Sequence, residues 1–153
     1  MKIGMLHLFE NPVGRTEHEI IKEQMELMSE AEVLGFDSVW PAAHHFSEYG
    51  YCASPQVSLA AVAARTKRIR LGTGVVVLPF HNPVRVAEDF AFLDLMSDGR
   101  VDLGSGAAIS RWSTKASAWA TNRPTRARSS MRCCAGPVSA GWTPARCCVR
   151  WSS

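Results

Sequence analysis

Apolar and polar positions fall into regular blocks over the first two thirds of the chain. The run KIGMLHLF at 2–9 is short and apolar, which predicts a buried strand, and ENPVG after it predicts a turn. Thr16 and Glu19 then stand in the T-x-x-E spacing of a capping box. Behind them Ile20, Met28, Ala31 and Leu34 recur at helical spacing over 17–35, and Gly35 is placed to cap that helix. FDSVW, ending at Pro41, predicts a second strand, and PQVSLAAVAART at 55–66 a second helix of small residues suited to close packing. IRLGTGVVVLP at 69–79 is the most apolar strand; Asn82 and Pro83 open a third helix at the cap and first-turn positions, running through VRVAEDFAFLDLMS. After the turn DGR, VDLGSG at 101–106 predicts a fourth strand.

Strands alternating with helices through short connections predict an α/β fold with parallel strands and helices covering the sheet. Two architectures fit: a doubly wound nucleotide-binding sheet, and the N-terminal half of a TIM (β/α)8 barrel. The doubly wound form calls for a G-x-G-x-x-G turn after the first strand, which LHLFENPVG lacks. The half-barrel, truncated after its fourth strand, is the better match.

Charge divides the chain at the same place. All 14 acidic residues lie at or before Asp102; residues 1–106 hold nine Lys or Arg, a net of about −5, whereas 107–153 hold seven Arg and one Lys and no acid, about +8. That second segment has no Leu, Phe or Tyr, yet four of the five Trp and four of the five Cys. It is too poor in core-forming residues to offset its ordering entropy, so it is expected to be a disordered, basic, non-native-like tail. Arg and Trp together suit nucleic acid, but no patterned face or module supports that use, and no nucleic-acid partner is expected. Cys133–Cys134 and Cys147–Cys148 are adjacent pairs, a poor spacing for zinc, and no metal is expected. The opening residues lack a signal-peptide pattern and no apolar run reaches membrane-spanning length, which predicts a cytoplasmic protein without a membrane partner and with Cys52 as a packed, reduced thiol.

In either architecture chemistry sits at the C-terminal ends of the strands. The residues there are Phe9 and Glu10, His44 and His45, Gly74 to Pro79, and Gly104 to Gly106. His44 and His45 have the side chain that moves protons near neutral pH, though a histidine pair on a surface loop needs no role. Gly72 and Gly74 interrupt a well-patterned strand, marking a bulge, a packing requirement, or the close approach of a backbone or flat ligand.

The opening MKIGMLHLF, the loop VWPAAHHFSEYGYCASP and the stretch RTKRIRLGTGVVVLPFHNPVRVAEDFAFLDLMSDGRVDLGSG together resemble the bacterial-luciferase-like flavin-dependent monooxygenases, in order and spacing, over residues 1–106. The resemblance implies an eightfold barrel, reduced FMN as cofactor, and dioxygen and a small organic molecule as substrates. A deazaflavin-dependent oxidoreductase of the same fold is the alternative within it, and a non-catalytic interaction fragment the alternative outside it. The family's acidic-His-His-Phe loop falls on AHHF, making His44 and His45 the catalytic candidates, with Ala43 in place of the acid. Thr73, Gly74, Val75 and Gly106 become the cofactor-binding candidates, with a cis peptide implied at Gly74–Val75. A homodimer through the helices after Pro55 and Pro83 is implied for an intact member.

Close relatives continue from G-x-G into Arg-Gly-Tyr, with the Arg at the flavin phosphate; here Ala107, Ala108 and Ile109 follow. Codons GCG GCT ATC preceded by one restored C read CGC GGC TAT, Arg-Gly-Tyr. With permitted codons the same shift turns AAISRWSTKASAWATNRPTRARSSMRCC into RGYQPVEYKGLGVGDQPADARAKFDEVL, in which acidic and aliphatic residues return together. The expectation is therefore that 107–153 is the gene read one base out of frame, and that the 153-residue product has weak or no activity.

Overall fold

Each predicted block becomes an element of the computed structural model, which describes residues 1–45 and 49–106. The expected disorder and frame change over 107–153, and Phe46 of the histidine loop, lie outside the described residues. In chain order the elements are β1 (Gly4–His7), α1 (Glu17–Glu30), β2 (Ser38–Pro41), α2 (Pro55–Ala63), β3 (Arg70–Gly72), β4 (Val76–Val77), a 3₁₀ turn (Leu78–Phe80), α3 (Pro83–Met96), β5 (Val101–Asp102) and β6 (Ser105–Gly106). Four strands pair in parallel in the order β1-β2-β3-β5, and β4 pairs in parallel with β6 as a second, two-stranded sheet. The fold is α/β with parallel strands, as the block pattern predicts. No helix among the described residues is long and apolar enough to cross a membrane.

The two apolar strands expected at 69–79 and 101–106 are each broken in the middle, at Thr73–Val75 and Leu103–Gly104. Glycines mark where both runs are interrupted, but the polarity pattern does not show the side-chain hydrogen bonds that hold the break.

Helix ends follow their signals closely. Thr16 accepts from the Glu19 N–H at 3.3 Å while the Glu19 carboxylate accepts from the Thr16 N–H at 2.9 Å, completing the capping box. Asn82 accepts from the Val84 N–H at 2.9 Å, with Pro83 in the first turn of α3. Beyond Glu30 the first helix tightens into turns. It closes at Gly35, whose φ of +88° lets Phe36 donate back to the Ala31 carbonyl at 3.0 Å. Leu34, expected on the buried stripe, lies in that final turn and is 69% exposed.

The core fills the space between one face of the sheet and the helices: Val39 and Leu71 from the strands meet Ile20, Met28, Leu59 and Phe90 from the helices. Alternate strand residues turn the other way. There Trp40 lies flat over neighbouring strands, and a Cβ on Gly72 would stand 2.3 Å from its ring and one on Gly4 2.9 Å from its indole nitrogen. Gly72 is therefore a glycine because of Trp40, whose Nε1 donates to the Ser38 hydroxyl at 2.8 Å.

Two charged side chains close the sheet's N-terminal end. Arg100, buried, donates to the carbonyls of Ala63, Thr66, Ile69 and Ser97 and to the Thr66 hydroxyl, so it satisfies the end of α2 and the turn after it. Glu32 accepts from the backbone N–H groups of Lys67, Arg68 and Ile69 at 2.6–3.1 Å. Burial pushes the Glu32 carboxyl up, but those three N–H groups together hold it below its ordinary value of 4.5.

Arg100→Ala leaves several buried carbonyls without donors and is expected to cost about 3 kcal/mol or more, read as a fall in the urea midpoint at unchanged slope. Because the folded-state pKa of Glu32 is depressed, its contribution is complete above pH 4.5 and is lost as pH falls through the folded value. The stability gap between the native chain and Glu32→Gln is therefore expected to narrow on acidification below pH 4.5, and urea titrations at a series of pH values measure it.

Candidate functional site

Where β3 and β5 break, Thr73 ties them together. Its hydroxyl donates to the Gly104 carbonyl at 2.7 Å and accepts from the Gly104 N–H at 2.9 Å, while its own N–H donates to the Asp102 carbonyl at 3.1 Å. This requires the two backbones to touch: a Cβ on Gly104 would stand 2.1 Å from the Thr73 carbonyl oxygen. Immediately after Thr73 the Gly74–Val75 peptide is cis, as the resemblance implied. The Gly74 N–H donates to the Pro41 carbonyl at 3.1 Å, and Val76 to the Gly104 carbonyl at 2.9 Å.

Thr73, Gly74, Val75 and Gly106, named from the sequence as cofactor-binding candidates, are thus brought together. A Cβ on Gly106 would lie 3.1 Å from Val75 Cγ2, and one on Gly74 would lie 3.3 Å from Leu6 Cδ1 and 3.8 Å from Trp40 Cβ. Gly74, Val75 and Gly106 are half-buried, so the peptide edge between them is reachable from outside. A Cβ at either glycine would press on a neighbouring side chain, so close packing explains why both positions are glycine.

The histidines follow β2 and diverge. The His44 N–H donates to the Cys52 carbonyl at 2.9 Å, and its ring meets Tyr49 edge-on with centroids 5.0 Å apart. Gly50 is pressed between the end of β1 and this ring: a Cβ there would be 2.5 Å from the Leu8 carbonyl oxygen and 2.8 Å from His44 Nδ1. Nδ1 is buried without a partner among the described residues. His45 turns instead to the loop after β4, edge-on to Phe80 at 4.9 Å and 6.4 Å from the His81 ring. Burial first, then the neighbouring His81 and His44, hold the His45 imidazole below its ordinary value. Two adjacent histidines that face different loops do not chelate together, and among the described residues no group of three or more His, Cys, Asp or Glu is arranged to hold a metal.

Cys52 is buried, with its sulfur 3.9 Å from the Ser58 hydroxyl, and burial pushes its thiol up, the condition of a packed rather than a nucleophilic cysteine. Sequence reasoning did not find Tyr49, Gly50, Phe80, His81 or the buried His7, whose Nδ1 lies 3.0 Å from Gln24 Oε1 on α1. Only Gly50 carried a signal, as a glycine between aromatic residues in a loop that approaches another backbone.

A family model described as luciferase-like monooxygenase matches residues 1–124. The alkanal monooxygenase alpha chain of the Kryptophanaron alfredi symbiont is 40% identical over 104 residues, covering 68% of this chain and 29% of that protein. Limonene 1,2-monooxygenase of Rhodococcus erythropolis is 43% identical over 86 residues, covering 56% of this chain and 22% of that one. The chain therefore spans less than a third of the length of either relative. Among solved structures, the monooxygenase RslO1 from Streptomyces bottropensis superposes with a TM-score of 0.71 at 37% identity, over 76% of this chain and 36% of that one.

Since the Thr73–Gly104 contact leaves no room for a side chain, Gly104→Ala must push two backbones apart. We expect a fall in Tm of about 10 °C, from roughly 1–3 kcal/mol of overpacking in a domain of this size. A thermal scan that finds Tm unchanged would show that the strand ends separate without cost.

Proposed function

Because the chain belongs to the luciferase-like monooxygenase family, we propose that it is built to hold reduced FMN against the Gly74–Val75 peptide and to use it with dioxygen on a small organic substrate. The observation that carries this reading is the meeting of Thr73, Gly74, Val75 and Gly106 at one end of a parallel sheet, with Gly74, Val75 and Gly106 only half-buried. In this reading the described strands are the first four of a (β/α)8 barrel. β3 with β4, and β5 with β6, are then single barrel strands bent at Thr73 and Gly104. The barrel's C-terminal rim then carries both the ring floor and the His44 loop. Residues 1–106 form this barrel part and 107–153 a separate stretch, which we read as the gene in the wrong frame.

The bound flavin supplies the electrons with which dioxygen is activated. This chain's own residues do the rest. Thr73 fixes the two strand ends so that Gly74 and Val75 present a rigid floor to one ring face. His44 has Nδ1 enclosed against Gly50, which leaves Nε2 as the nitrogen that exchanges a proton with a bound ligand. His45, held toward neutrality and packed on Phe80, serves as a wall of the same rim. A homodimer in the cytoplasm belongs to the same reading, with Val57 of α2 and Phe92 of α3 exposed on the helices that would meet.

The test is a titration of the purified chain with FMN and, separately, with a deazaflavin. FMN binding at one per chain, weakened about tenfold or more by Gly74→Val, is expected, because the added side chain occupies the ring's place. Deazaflavin binding in preference to FMN would move the reading to hydride transfer, and a folded chain that binds neither would end it. Restoring one base before codon 107 is expected to give a longer product with reduced-flavin-dependent oxygenation that His44→Ala lowers by about 10²–10⁴-fold.

A further inference from the structure

Gly50 is pressed from two sides, and both neighbours are atoms with lone pairs. A Cβ there would stand 2.5 Å from the Leu8 carbonyl oxygen and 2.8 Å from His44 Nδ1, so the hydrogen that glycine carries in that direction points between them. Three backbone hydrogen bonds fix this approach. The Ala42 N–H donates to the His7 carbonyl at 2.9 Å, the Tyr51 N–H to the Phe9 carbonyl at 3.2 Å, and the His44 N–H to the Cys52 carbonyl at 2.9 Å. Phe9 reaches its place through a φ of +58°, a left-handed conformation that a bulky, buried residue holds only where its surroundings enforce it. The end of β1 is thereby held against the residues that enter and leave the histidine loop, with Gly50 between Leu8 and the imidazole. The Tyr49 ring meets the same imidazole edge-on, with 5.0 Å between centroids and 66° between planes. Nδ1 of His44 is buried with no hydrogen-bond partner among the described residues.

We propose that Gly50 sets the tautomer and the orientation of His44, so that the neutral imidazole carries its proton on Nε2 and meets a ligand at the rim as a hydrogen-bond donor. This rests on the reading of His44 as the proton-exchanging group of the rim. A neutral imidazole bears one N–H and one lone pair. With the proton on Nδ1, a buried N–H would face the Gly50 C–H and find no acceptor, the rarer kind of unpaired polar group in folded proteins. With the lone pair there instead, the Gly50 C–H lies between two acceptors, the Leu8 oxygen and Nδ1, a weak contact that favours the same choice. The proton is then on Nε2, on the other side of the ring from Gly50. Any side chain at position 50 would put a carbon where the glycine hydrogen lies, closer to Nδ1 than carbon and nitrogen pack, and the edge of Tyr49 limits the turning that would relieve it. Gly50 is thus a positioning residue, acting on the chemistry of the rim through His44.

The experiment uses the full 153-residue chain with isotope-labelled histidine, studied by NMR at about pH 9, above the ordinary imidazole value, so that the rings are neutral. Long-range proton–nitrogen correlations show which ring nitrogen bears the proton, and His44 is identified by the signals lost in His44→Gln. The Nε2–H pattern is expected in the native chain. An Nδ1–H pattern, or an even mixture of the two, would overturn the proposal whether or not any variant folds. In Gly50→Ala the His44 signals are expected to move and the Nδ1–H form to gain share; a folded Gly50→Ala chain with native His44 signals removes the positioning role. Thermal scans of the double-mutant cycle give a second reading. Once His44→Ala has removed the ring, Gly50→Ala is expected to lower Tm by several degrees less than it does in the native chain, and equal falls in the two backgrounds would show that position 50 answers to the Leu8 carbonyl alone. FMN titration of the native chain is scored separately: absent binding removes the flavin reading and leaves the tautomer decided by its own signals, while intact binding with an Nδ1–H pattern removes only the present proposal.

Discussion

The Thr73 hydroxyl, bonded both ways to the Gly104 backbone, is the contact on which the rest of the candidate site depends. A parallel ladder satisfies every backbone group by pairing, and it cannot change direction without leaving some of them unpaired. At this break one side chain serves as both donor and acceptor for the Gly104 backbone, where β3 and β5 end and β4 and β6 begin. Each such bond is worth only about 1 kcal/mol net, yet leaving the groups unpaired costs more than making the bonds gains. The bend is therefore stable, and Gly74 and Val75 face the rim.

The two ends of the sheet solve the same bookkeeping differently. At the N-terminal end Arg100 and Glu32 use full charges to satisfy backbone carbonyls and N–H groups, and little polarity is left over. At the C-terminal end His7 Nε2, His44 Nδ1 and His81 Nε2 are buried without partners among the described residues. Consistency of packing with polar satisfaction holds at one end and is relaxed at the other, which is where a parallel α/β sheet binds its ligand.

What the sequence made legible follows from the range of each interaction. The capping box at Thr16, the cap at Asn82 and the closure at Gly35 are set by residues within a turn of each other, so they can be read directly. The parallel α/β order is written in the spacing of apolar blocks. The two glycines of GTG look alike in the chain and serve different ends: Gly72 makes room for the Trp40 ring of the adjacent strand, while Gly74 lets the backbone pass Leu6, whose Cδ1 would stand 3.3 Å from a Cβ there. Only the register Val39↔Leu71, which places Trp40 beside Gly72, separates them. The histidine loop was legible through its likeness to a family, but the turn at Phe9, whose carbonyl accepts from the Tyr51 N–H some forty positions on, has no local signature. Arg100 sits in DGR, which reads as an ordinary turn, and its burial depends on the end of a helix more than thirty residues earlier.

The distribution of cations carries the argument about the flavin one step further. Arg15 is paired with Glu23, Arg85 with Glu88 and Arg70 with Asp102, while Arg100 is spent on backbone carbonyls. Each of these four would have to give up a partner to meet a phosphate, and the buried Arg100 would give up backbone carbonyls. The resemblance puts the anchoring arginine directly after Gly106, where this chain has Ala107. In the proposed reading, a single missing base at that codon would remove that arginine together with the acidic and aliphatic residues that follow it. On that reading one cause accounts for both the charge asymmetry of the chain and the alanine at position 107.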